Sequence, residues 1–109
     1  MNDDPEEARV AAGLAALGAA VRLRLFRLLV RAGERGVNVT DLNRLMAIPA
    51  STLAHHLTAL ARAGLVIQTR RGREVICTAG FDQMAALVGY LTASCCAGLE
   101  PARADPAAA

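Results

Sequence analysis

The chain has 109 residues, a net charge of +2, and 54% hydrophobic residues of which few are rings, aromatics being 3% of the whole. That length suits one domain with a single modest core, and a core built from Leu, Val and Ala points to closely packed helices. Arginines break every apolar run before it reaches about 18 residues, which excludes a membrane-spanning helix, and an odd set of three cysteines argues against a disulfide framework.

The opening "MNDDPEEARV" is acidic and lacks the basic-then-apolar pattern of a secretory signal. A cytoplasmic location, where thiols stay reduced, is therefore expected. The small net charge conceals an asymmetry. All twelve basic residues are arginine, and ten of them lie in residues 20–80 against only Glu34, Asp41 and Glu74, giving that segment +7. Residues 1–19 carry −3 and residues 81–109 carry −2. A basic middle between acidic ends implies a polyanionic partner for the middle alone.

In chain order, residues 5–17 predict a first helix, with Pro5 suited to its opening turn and Val10, Leu14 and Leu17 on one stripe. Gly18 interrupts it. Residues 20–32 predict a second helix, with Arg24, Arg27 and Arg31 on one face and Val21, Leu25, Leu28 and Ala32 on another. "GERG" ends that helix, and a short third one follows in "TDLNRLMA", with Thr40 as its expected N-cap and Leu42, Leu45 and Met46 facing inward. "IPAS" makes a tight turn, and Pro49 opens a fourth helix that runs to about Ala63, where Gly64 terminates it. The β-branched runs "LVIQTR" and "EVICTA", joined by "RGR", predict a hairpin with Gly72 at its tip. Residues 81–96 predict the last helix, with Phe81, Met84, Ala85, Val88, Leu91 and Cys95 as its apolar stripe. The Pro/Ala-rich tail from residue 99 is expected to be disordered, leaving residues 1–98 as the folded domain.

A short helix, a turn and a longer helix make a helix-turn-helix, and a basic hairpin directly after it is a wing. The expected fold is therefore a mainly α winged helix-turn-helix. On the fourth helix, Ser51, His55, Thr58 and Arg62 fall on one stripe and Leu53, Leu57 and Leu60 on the opposite one. Short polar side chains near a helix N-terminus suit close approach to base edges in a major groove, and Thr52 flanks the same stripe. His56 borders the leucines and reads as a packed histidine with one hydrogen-bonded nitrogen. On the wing, Arg70, Arg71 and Arg73 suit phosphates or a narrow minor groove. No enzyme is expected: both histidines sit on the fourth helix, and neither a Gly-rich loop nor a carboxylate pair accompanies the cysteines.

With these residues in view, the chain resembles the ArsR/SmtB family of bacterial winged-helix repressors. The likeness lies in "LAALGAAVRLRLFRLLV" and above all in "IPASTLAHHLTALARAGLV", and it extends over roughly residues 10–92. It implies a homodimer that binds double-stranded operator DNA with an inverted repeat and leaves it when an inducer binds. It also implies DNA contacts at Ala50, Ser51, Thr52 and His55 and, on the wing, at Arg71 and Arg73. Ala20 and Val21 replace the family's usual Pro-Thr pair. "VTDLNRLM" lacks the Cys-x-Cys of the founding arsenic and cadmium sensors, and Met84 stands where the zinc sensors carry a histidine.

Cys95 and Cys96 are adjacent near the end of the last helix, as in an arsenic-responsive subset of that family. Two neighbouring thiolates suit a soft centre such as trivalent arsenic, antimony or Cu(I) over a hard cation. Two sulfurs satisfy methylarsenite; arsenite needs a third ligand from water, a cellular thiol, or Cys77 of the partner subunit. Cys77 itself reads first as a small buried hydrophobe. The expected interface pairs residues 5–17 and 81–96 of the two subunits. The expected function is a repressor released from DNA by As(III), an organoarsenical or Sb(III), with a redox or reactive-sulfur sensor of the same fold as the alternative.

Overall fold

The computed structural model describes residues 4–99, so the tail from residue 100 onward lies outside the described residues. Helix α1 spans Pro5–Leu17. The Asp4 carboxylate caps it by accepting the Glu6 N–H at 2.9 Å, with Pro5 in the first turn. Helix α2 spans Ala20–Ala32, buries Leu25, Phe26 and Leu29, and stops at Gly33, whose φ of 72° lies in the left-handed region.

The segment after α2 contains a third strand that the sequence pattern did not predict. A 3₁₀ turn over Gly33–Arg35 leads into β1, Val37–Asn38, which pairs antiparallel with the wing. Helix α3 follows at once over Val39–Met46. Its N-cap is Asn38 rather than Thr40: the Asn38 Oδ1 accepts the Asp41 N–H at 2.7 Å. Pairing of Val37 with Cys77 and of Asn38 with Ile76 holds the chain extended up to Asn38, and the cap stands two residues earlier than expected. Within α3, Leu42 and Met46 are buried, but Leu45 is exposed, because so short a helix buries only a narrow stripe.

Asn43 donates to the Ile48 carbonyl and fixes the turn into α4, Ala50–Arg62, with Pro49 as the N-cap. The exit of α4 is a Schellman motif: the Leu65 N–H bonds to the Leu60 carbonyl and the Gly64 N–H to the Ala61 carbonyl, with Gly64 at φ 77°. Strands β2, Val66–Arg71, and β3, Glu74–Ala79, form the hairpin, closed by Gly72 and Arg73 between the paired Arg71 and Glu74. The sheet order is β1-β3-β2, which puts β3 and its Cys77 in the centre.

Helix α5 spans Phe81–Thr92, four residues shorter than expected. The Thr92 hydroxyl donates to the Val88 carbonyl at 2.8 Å, and the next residues, Ala-Ser-Cys-Cys, are mostly weak helix formers. Its packing face also differs from the expected stripe. Leu87 is buried against α1, whose Gly13 leaves room for it: a Cβ there would stand 3.1 Å from a Leu87 methyl carbon. Val88 and Leu91 are instead 57% and 62% exposed, and Leu14 of α1 is exposed as well. The core is leucine-rich as the composition requires, joining Leu25, Leu29, Leu42, Leu53, Leu60 and Leu65.

Candidate nucleic-acid interface and thiol site

On α4 the two faces separate as the periodicity demands. Leu53, Leu57 and Leu60 are buried, while Ala50, Ser51, His55, Thr58 and Arg62 are exposed and Thr52 is half-buried. The leucines fix the rotation of the helix, and that rotation presents the polar stripe to solvent. The bond from Asn43 of α3 to the Ile48 carbonyl fixes the turn that leads into α4 and its stripe.

The wing places Arg70, Arg71 and Arg73 on exposed positions around the hairpin tip. Gly72 has φ 64° and no neighbour that a Cβ would meet, as a Gly-first two-residue turn requires. Among the described residues the only ion pair is Arg44 with Asp41, 3.0 Å apart within α3. The arginines of α2, α4 and the wing thus carry no carboxylate partner, and their positive charge is available to an external anion.

His56 is half-buried, as the pattern suggested, but it lacks the expected hydrogen bond: its Nδ1 is buried without a partner. Burial first, then the Arg22 guanidinium and then His55, lower its pKa and favour the neutral imidazole. The His55 and His56 rings stand 5.6 Å apart at a 57° tilt. Arg22, whose role the sequence left open, is therefore a neighbour of His56, and its own Nε is likewise buried and unpartnered.

Cys95 and Cys96 lie beyond α5, in successive turns closed by the Cys95 N–H to Thr92 carbonyl and Ala97 N–H to Ser94 carbonyl bonds. Ser94 and Cys96 both have positive φ, 57° and 63°. Both thiols are exposed, and the two Sγ atoms are 3.4 Å apart. No group of three His, Cys, Asp or Glu side chains able to hold a metal occurs among the described residues, so the pair offers two sulfurs from one chain. Cys77 is fully buried in the central strand, its Sγ is 3.8 Å from the Gln68 Nε2, and burial raises its pKa against a partial offset from that contact. As a third ligand donated to a partner subunit it would have to leave the core; its place is that of a small packed hydrophobe.

The helix-turn-helix, the wing and the polar stripe define a winged helix-turn-helix domain. A family model described as a helix-turn-helix domain matches residues 17–69. Solved structures similar to this chain include ArsR-family transcriptional regulators. An ArsR-like regulator from Rhodococcus sp. RHA1 is 25% identical with a TM-score of 0.67, over 78% of this chain and 77% of that one. The transcriptional repressor BigR from Xylella fastidiosa is 29% identical with a TM-score of 0.61, over 84% and 91%. The homodimeric winged helix-turn-helix DNA-binding domain Mb0332 from Mycobacterium bovis, a possible ArsR-family regulator, is 24% identical with a TM-score of 0.63, over 88% and 92%. No curated protein sequence matches the chain. The chain has the fold of ArsR-family transcriptional regulators, a class of regulators and not of enzymes. No helix among the described residues is long and apolar enough to cross a membrane.

Proposed function

We propose that the protein is a homodimeric repressor that binds an inverted-repeat operator and releases it when a soft, thiophilic inducer engages Cys95 and Cys96. Trivalent arsenic, as methylarsenite or arsenite, is the foremost inducer, with antimony next. The observation that carries this reading is the 3.4 Å separation of two exposed sulfurs directly after α5. Base contacts fall to Ala50, Ser51, Thr52 and His55, and phosphate or minor-groove contacts to Arg70, Arg71 and Arg73. The exposed Leu14, Val88 and Leu91 supply the apolar subunit seam between α1 and α5 of two copies.

The thiol pair sits at the end of the helix that carries this seam. Bonding both sulfurs to one centre locks the turn at Ser94–Cys96 and biases the angle between subunits, which sets the spacing of the two recognition helices. A tenfold to thousandfold loss of operator affinity needs a coupling of only about 1.4–4 kcal/mol. The redox alternative that pairs Cys77 with Cys95 of a second subunit is less favoured, because Cys77 is buried.

The test is a gel shift on the DNA upstream of the protein's own gene, titrated with arsenite, methylarsenite, antimonite, Cu(I), Zn(II) and peroxide. Release by methylarsenite that vanishes in Cys95→Ser/Cys96→Ser supports the reading; release that persists in that variant overturns it. Arg71→Ala should weaken binding and flatten its salt dependence by about one released counterion.

A further inference from the structure

We propose that the cleft between α1, α2 and α4 is a binding site for a phosphate group, held by Arg22 and Arg62. The cleft has a volume of about 390 Å³ and is lined by these two arginines and otherwise only by alanines, among them Ala12 and Ala15 of α1, Ala59 of α4 and Ala63 at its C-cap. Three observations converge there. Both guanidiniums lack a carboxylate partner among the described residues, and no acidic side chain lines the cleft. The Arg22 Nε is shut off from solvent with no acceptor, which leaves this guanidinium short of one hydrogen bond. The alanine walls carry no group that competes with a small anion for the two guanidiniums, whose fork of donors matches tetrahedral oxygens.

Position on the recognition helix strengthens the assignment. Arg62 ends the outward stripe begun by Ser51, and Ala59 and Ala63 lie on the flank between that stripe and the leucine face. His56 lies one turn earlier on the same flank, beside Arg22, and presents the second unpartnered buried nitrogen, Nδ1. A duplex engaged by the stripe would bring its backbone alongside such a flank, so a DNA phosphodiester is one source of the group. That source rests on the DNA-binding reading above; free inorganic phosphate is the other and does not.

The experiment uses the intact protein with Arg22→Lys, Arg22→Gln and Arg62→Gln, and Arg9→Gln on α1 as the control. Arg62 is exposed and Arg22→Lys keeps the charge while removing the fork, so at least these two keep the fold. Duplex affinity is measured against salt, and the Arg22 Nε–H resonance is followed while inorganic phosphate is added. A salt slope smaller by about 0.9 in Arg22→Gln and Arg62→Gln, with Arg9→Gln unchanged, assigns the cleft to a DNA phosphate. Unchanged slopes with a saturable Arg22 Nε–H shift that Arg62→Gln abolishes assign it to free phosphate. Absence of both effects overturns the proposal. Should the wild type bind no duplex at all, the DNA-binding reading fails by itself, and the phosphate titration alone decides the cleft.

Discussion

Gly80 lies directly against the carbonyl of Gly64: a Cβ placed on Gly80 would stand 2.0 Å from the Gly64 oxygen. The Gly80 N–H also donates to the Leu65 carbonyl at 2.8 Å. At this point the end of α4, the start of β2, the end of β3 and the start of α5 are tied together. The wing, the recognition helix and α5 therefore share one rigid junction, through which a change at α5 can reach the DNA-facing elements.

Gly80→Ala should destabilise the fold by at least about 1–3 kcal/mol, because backbone on both sides must move. Gly72→Ala, where a Cβ meets nothing and only the positive φ is penalised, should cost about 1–2 kcal/mol. Urea unfolding of both variants checks the order; equal losses would mean that the junction is looser than the geometry indicates.

The three thiols should separate by reactivity. A short iodoacetamide pulse on the folded protein should alkylate Cys95 and Cys96 and leave Cys77 free, because Cys77 is fully buried and its pKa is raised. Peptide mass spectrometry reads this directly. Labelling of Cys77 at the same rate as the pair would show that the central strand opens readily.

Acid should weaken the fold through His56. Its folded pKa lies below the ordinary 6.5, so below pH 6.5 the unfolded chain binds a proton that the folded one refuses. Stability contributed by this group is complete above pH 6.5 and declines as pH falls toward the folded pKa. The thiol of Cys77 acts at the other end: with its folded pKa above 9.0, the unfolded chain loses its proton first, and stability declines as pH rises past that value. Denaturation midpoints from pH 5 to 10 test both, and His56→Gln should remove the acid limb's excess slope.

Val88→Arg combined with Leu91→Arg should convert a dimer to a monomer in sedimentation without loss of helical circular dichroism, since neither side chain is part of the core. By contrast, Leu87→Ala should cost about 2–5 kcal/mol, as Leu87 is buried against Gly13 of α1. A double-arginine variant that stays dimeric would move the subunit seam elsewhere.

Much was legible in the sequence because periodicity and turn chemistry are local. The bounds of α1 and α2, the leucine and polar faces of α4, the Gly64 stop and the Gly72 hairpin tip all follow from spacing within a few residues. What depended on distant partners was not legible. Strand β1 exists only because Val37 and Asn38 find the edge of β3 some 40 residues later, and that pairing moved the α3 cap from Thr40 to Asn38. An apolar stripe shows that a helix has a face to bury, not which partner covers it: on α5, Leu87 meets α1 while Val88 and Leu91 face outward.

The thiol pair shows the same division. Adjacency in the chain placed Cys95 beside Cys96, and softness of sulfur sets the class of partner proposed for them, both independent of fold. Whether the sulfurs converge depended on α5 ending at Thr92, which releases residues 93–97 into turns with left-handed Ser94 and Cys96. Had the helix continued, adjacent side chains would have diverged by about 100°. Sequence fixed which atoms are available, because chemistry is local; tertiary structure decided where they point, because packing and hydrogen bonding couple residues far apart in the chain.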